Sequence, residues 1–154
     1  MFQHRLTKRF LLVGLFLAVF VAIVVLLYPQ TYKSEVVLGG KTFLVDVADT
    51  NYLLSKGLSG REPLGSDEGM FFVFQKPDIH TFWMKDMNFP IDIIWMDENF
   101  DVIHIEKSIS PETYPKTFTS KENSMYVLEI SAGESQKLGI KIGDEVKFLN
   151  KTFK

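Results

Sequence analysis

Apolar residues are distributed very unevenly along this chain. Phe10 to Tyr28 run for nineteen residues without a charge, directly behind Arg5, Lys8 and Arg9. A helix rising about 1.5 Å per residue would carry that run across roughly 28 Å, close to the ~30 Å hydrocarbon core of a bilayer. The pattern predicts a transmembrane signal anchor over residues 10–28. Residues 1–9 form a cytoplasmic basic flank by the positive-inside rule, 29–34 a linker, and 35–154 a domain facing the periplasm or the cell exterior. The run leaves through Leu26, Leu27, Tyr28, Pro29 and Gln30. These are not the small residues of a cleavage site, so the anchor is expected to remain attached.

Beyond Tyr28 the period shortens to that of strands. Val36–Leu38 and Lys41–Val47 flank Gly39-Gly40, a dipeptide suited to a two-residue hairpin whose turn needs positive φ. Further strands are predicted over 70–74, 79–84, 91–97, 102–106, 125–130 and 145–149, short, aromatic and β-branched, with turn residues between them. Two short helices interrupt them. Thr50 can cap one over 51–56 that Gly57 ends, and Ser131 with Glu134 has capping-box spacing before a second that Gly139 ends. Neither is long enough to serve as the crossover of a doubly wound α/β fold. The fold class expected is mainly β (α+β), a small antiparallel barrel or sandwich with two short helices, preceded by one transmembrane helix. Residues 107–124, with Pro111 and Pro115 and no periodicity, read as a long loop that could form a lid.

Charge sharpens the division. Residues 34–154 hold 13 basic and 19 acidic side chains, a formal charge of −6. Such a domain repels phosphate backbones, and no nucleic-acid partner is expected. The chain has no Cys, which excludes disulfides and a lipoprotein anchor.

Several blocks then carry a family resemblance. They are Gly57-Leu58-Ser59-Gly60-Arg61, Glu68 through Phe74, Phe82-Trp83-Met84-Lys85-Asp86-Met87-Asn88-Phe89-Pro90-Ile91-Asp92-Ile93-Ile94, Val127 through Gly133, and Gly139-Ile140-Lys141-Ile142-Gly143-Asp144. In this order and spacing they resemble the DUF192 family, also called UPF0127, over about residues 42–149. The resemblance implies a single small, mostly antiparallel β domain behind a signal or anchor. It implies no particular reaction. Two departures stand out: Asp86 and Met87 replace the family's usual Asn-Thr, and Glu98-Asn99-Phe100-Asp101 lacks the usual turn Gly. Asn99 is expected to supply the left-handed residue there.

Candidate chemistry is sparse. Arg61 is the one Arg among twelve Lys after residue 33, and its planar fork suits bidentate recognition of an anion or sugar acid. The alternative is an internal ion pair holding its loop. Trp83 could stack on a sugar ring or belong to the core. Lys85, Asp86 and Asp92 flank the turn through Pro90, where opposed charges beside an aromatic would suit a polar ligand or simply pair with each other. His80, Met84 and Met87 are soft Cu(I) donors by type, but Met87 breaks the strand parity that His80 and Met84 share. There is no thiol, no nucleophile elbow and no phosphate-binding Gly-rich loop, so no catalytic residue is assigned. A carboxylate pair such as Asp92 with Glu106 is the hydrolase arrangement open to it.

The sequence therefore reads as a membrane-anchored, extracytoplasmic ligand-binding or envelope-associated module. Arg61, Trp83, Lys85, Asp86 and Asp92 are its binding residues, with no metal and no cofactor. Its partners are the lipid bilayer through 10–28 and a small polar or glycan-type ligand. A carboxylate-dependent glycan hydrolase and a structural partner-docking module are the alternatives.

Overall fold

The computed structural model describes residues 13–23 and 31–149. The chain divides into two compact units, Met1–Gln30 and Thr31–Lys154. In the first, residues 13–23 are helical (α1) with every described side chain exposed. Among the described residues no helix is long and apolar enough to cross a membrane. The transmembrane helix expected over 10–28 is thus not found: its middle forms α1, while 10–12 and 24–28 lie outside the described residues, as do 1–9 and 29–30.

The second unit is mainly β. Strands β1 (Tyr32–Leu38), β2 (Lys41–Ala48), β3 (Glu68–Asp78), β5 (Ile91–Met96), β6 (Val102–Ile109), β8 (Ser124–Ser131) and β9 (Lys147–Phe148) form one curled half-barrel sheet in the order β6-β5-β8-β3-β2-β1-β9. Strands β4 (Thr81–Trp83) and β7 (Thr117–Thr119) pair as a separate ribbon. Gly39 and Gly40 take φ of +60° and +76°, the left-handed pair that closes the β1–β2 hairpin. Strand β1 already begins at Tyr32, inside the segment expected to be a linker.

Three further expectations are corrected. Strand β2 pairs with β3 in parallel, so the sheet is not wholly antiparallel. Helix α2 (Asn51–Lys56), capped by Thr50 and ended by Gly57 as expected, is too short to make that crossover alone. It shares the work with the irregular turns that follow it up to β3. The expected loop 107–124 is largely structured: β6 runs to Ile109, Pro111–Thr113 form a 3-10 turn, and β7 pairs with β4. In the β5–β6 turn the left-handed residue is Phe100 (φ 69°), not Asn99. The Asp97 carboxylate accepts the N–H groups of Asn99 and Asp101, and the Phe100 ring stacks on Tyr126 at 4.3 Å. Side-chain capping and ring packing here override the intrinsic preference of Asn.

Both faces of the sheet are packed. Phe43, Val45, Phe71, Ile94, Leu128 and Ile130 belong to the core on one face. Met70, Phe72, Ile93, Trp95 and Val127 belong to the core on the other, which Leu53, Leu58 and Phe118 also join. Strand alternation places Glu129 on the face of Val127, directly opposite Met70 of β3 and Ile93 of β5. A carboxylate therefore stands in an otherwise apolar row.

Candidate functional site

A pocket of about 250 Å³ opens on the face that carries Glu129. The sheet supplies Phe72, Phe74 and Glu129, the end of α2 and the turn after it supply residues 54–59, and β4 with its approach supplies His80, Phe82 and Trp83. Gly57 lets the chain turn here with φ +49°, and a Cβ at that position would meet the Phe72 ring at 3.4 Å. The aromatic groups brace one another. Phe82 stands edge-on to Phe72 at 5.0 Å, the His80 ring stacks on Phe74 at 3.4 Å, and the His80 carbonyl accepts the Trp95 indole N–H at 3.1 Å.

Glu129 is 5% exposed, and its Oε2 has no hydrogen-bond partner. Burial pushes its carboxyl up to about 8. At neutral pH it therefore carries a proton, because an unpaired charge in this apolar row would be expensive. Burial also lowers the basicity of His80, while backbone hydrogen bonds to Lys76 and Ser124 and the charge of Asp78 act against that only in part. A protonated carboxylic acid and a neutral imidazole thus share the lining of one pocket.

Trp83 lies at the rim, 52% exposed, with Tyr114 edge-on at 6.1 Å and the Lys85 ammonium 5.8 Å over its ring. Of the five binding residues expected from sequence, Trp83 is the one that lines this pocket. Lys85 and Asp86 serve the pocket wall through their backbones. The Ser59 hydroxyl donates to the Lys85 carbonyl at 2.9 Å and the Gly60 N–H to the Asp86 carbonyl at 2.8 Å, while the Asn88 amide donates to the Arg61 carbonyl at 3.0 Å. These bonds clasp the turn after α2 to the turn after β4. Asp86 holds φ +56° to make the clasp, a conformation that Asn tolerates better than most residues. The Asn usual in the family at this place therefore has a backbone reason.

Arg61 and Asp92 are committed elsewhere. The Arg61 guanidinium donates to Asp46 at 2.6 Å, and Lys33 approaches the other oxygen of the same carboxylate at 3.3 Å. Because Lys33 remains, Arg61→Ala should cost about 1 to 2 kcal/mol, not the ~3 to 5 kcal/mol of a stranded buried carboxylate. Chemical denaturation of the two proteins checks this, and a loss in the higher range would mean that Lys33 gives Asp46 nothing. Asp92 is fully buried and accepts backbone N–H bonds from Ser108 (2.7 Å), Gly133 (3.0 Å) and Ser135 (2.9 Å). It thereby caps α3 (Glu134–Lys137), whose first residues have no side-chain cap of their own. Ser131, expected to form the capping box, donates instead to the carbonyls of Leu64 and Gly65.

The hydrolase pair fares no better. Asp92 pairs across the sheet with Ile130 and Glu106 with Ile93, residues of opposite faces, so the two carboxylates point away from each other. Glu106 instead lies 3.2 Å from the His104 ring. Met84 is packed in the core at 1% exposure, and the His80 ring is stacked on Phe74. Among the described residues no group of three His, Cys, Asp or Glu side chains could hold a metal ion. Glu129 itself was missed, although its signal was present: in the predicted strand 125–130 it shares the parity of Val127, which places an acid on a buried face.

A crystal structure of a candidate transcription regulator from Sinorhizobium meliloti 1021 superposes with a TM-score of 0.73 at 27% identity, covering 79% of this chain and 97% of that one. A protein of unknown function from Novosphingobium aromaticivorans DSM 12444 gives 0.69 at 34% identity, covering 76% of this chain and 84% of that one. No curated protein matches the chain. The profile of DUF192, described as an uncharacterized ACR, matches residues 34–148. That span takes in the clasp, the pocket strands and the Asp92 anchor, and the chain belongs to the DUF192 family.

Proposed function

We propose that this protein is a ligand-binding module of the cell envelope whose site is the Glu129 pocket, held at the membrane by its N-terminal apolar segment. The observation that carries the reading is the Glu129 carboxyl itself, buried, without a partner for Oε2, and in the wall of a pocket. Folded proteins rarely leave such a group unsatisfied without a use for it. An exposed Trp83 and Tyr114 beside the opening add a stacking surface for a ring or a flat apolar group. The exposed apolar side chains of α1 and the basic flank before them support the membrane attachment. Direct binding to nucleic acid is disfavoured by the formal −6 of residues 34–154.

Screening small polar compounds by ligand-observed NMR against the detergent-solubilised full chain tests the site. Genuine ligands should lose their signal changes with both Trp83→Ala and Glu129→Gln. Compounds that bind both variants undiminished would move the site elsewhere. Alkaline washing of membranes should leave the chain in the pellet, and its release would remove the anchor from this reading.

A further inference from the structure

The pocket's chemistry narrows the ligand class, and this step rests on the binding reading above. We propose that the Glu129 pocket selects small organic cations, with the ligand's ammonium group paired to the Glu129 carboxylate and its methyl or methylene groups against the aromatic walls. Three independent features lead there.

The first is the unmet acceptor. Oε2 of Glu129 is buried and unpartnered, and its flanking positions in the row, Met70 and Ile93, offer it no donor. The charged groups on the surrounding elements are already engaged. On β2, Asp46 holds Arg61 and Lys33, and on β6, Glu106 faces His104. From α2, the Lys56 ammonium lies 5.9 Å over the Tyr52 ring, and just before β4, His80 is stacked on Phe74 and uncharged because burial lowers its basicity. Among the described residues no cation is paired with Glu129.

The second is the wall. Phe72, Phe74, Phe82 and Trp83 line the pocket, and ring faces attract ammonium groups at distances up to ~6 Å. The protein shows this preference internally, since the Lys85 ammonium settles 5.8 Å over the Trp83 ring. The third is the long-range field. A domain of formal charge −6 draws cations toward its surface and repels anions.

The proton balance follows from these groups. In the empty pocket the carboxyl holds its proton up to about pH 8. A cation that pairs with the carboxylate must displace that proton to solvent, so binding at pH 7 releases close to one proton per ligand. Below pH 8 affinity should then rise about tenfold per pH unit, and above it level off.

Calorimetric titration of the full chain in detergent, with Trp83 emission followed in parallel, tests the proposal. The probes are choline and butylammonium, with 3,3-dimethylbutan-1-ol and pentan-1-ol as uncharged counterparts of similar shape. The expected result is that at least one cation binds ten times or more tightly than its counterpart at pH 8. Its affinity should weaken about fivefold at pH 7, with proton release seen across buffers of different ionisation heat. Glu129→Gln should abolish the preference while keeping a folded circular dichroism spectrum. If the uncharged counterparts bind as well as the cations, and more weakly above pH 8, the carboxyl acts as a donor to a neutral ligand: the pocket stands and the cation class falls. If neither type binds or shifts Trp83 emission, the pocket reading falls with it.

Discussion

Replacing Glu129 by Gln should raise the melting temperature at pH 7 and leave it nearly unchanged at pH 4. The carboxyl of Glu129 titrates at about 8 in the folded protein against an ordinary 4.5. Below 4.5 both folded and unfolded chains hold the proton, and the group's contribution to stability is fully present. Above it the unfolded chain gives up the proton while the folded chain keeps it. Each further pH unit then costs about 1.4 kcal/mol, until the loss saturates near pH 8. At pH 7 the burden is on the order of 3 kcal/mol, which for a domain of this size is a shift of roughly ten degrees. Gln has a similar shape and no proton to take up. Melting curves of both proteins from pH 4 to pH 8 give the answer in their difference. A difference that does not grow with pH would show that Glu129 is ionised in the folded protein.

Asp92→Ala should be the most damaging single change in the domain. Its two oxygens take the N–H groups of Ser108, Gly133 and Ser135, joining the end of β6 and the start of α3 to β5. Removing the carboxylate leaves three donors without it, that of Ser135 buried and those of Ser108 and Gly133 part-buried, at about 1 to 3 kcal/mol each when unsatisfied. The expected loss is therefore on the order of 4 kcal/mol or more. Asp92→Asn keeps one carbonyl oxygen and should fall between the two, because its amide nitrogen would face a donor. Urea midpoints rank the three proteins. An Asn variant as unstable as the Ala variant would show that charge, not geometry, carries the anchor.

What was legible in the sequence was local. The Gly39-Gly40 hairpin, the Thr50 cap, Gly57 at the end of α2 and the alternation of most strands depend on neighbours a few residues away, and each stands in the structure. The pairing partners were not legible. The parallel junction of β2 and β3, the pairing of β4 with β7, a strand inside an expected loop, and the capping of α3 by a residue 41 positions earlier all depend on chain segments far apart. The candidate site suffered for the same reason. Arg61, Lys85, Asp86 and Asp92 were singled out because they cluster in sequence or are rare, yet rarity here reflects an ion pair, a backbone clasp and a buried cap. Glu129 looked ordinary among nineteen acids. Only its strand parity separated it from the surface carboxylates.

The position of β8 sets an order on the making of this protein. It lies inside the sheet, bonded to β3 on one side and β5 on the other, yet it is the last long strand to be synthesised. While the ribosome extends the chain from the end of β3 at Asp78 to the end of β8 at Ser131, β3 waits with an open edge, and β5 does so from its completion at Met96. At 5 to 20 residues per second that interval is roughly 3 to 10 s, long compared with the folding time of most small domains. The sheet of the nascent chain thus stays open until β8 is made, and a product truncated before Ser131 would keep two unpaired strand edges as templates for aggregation.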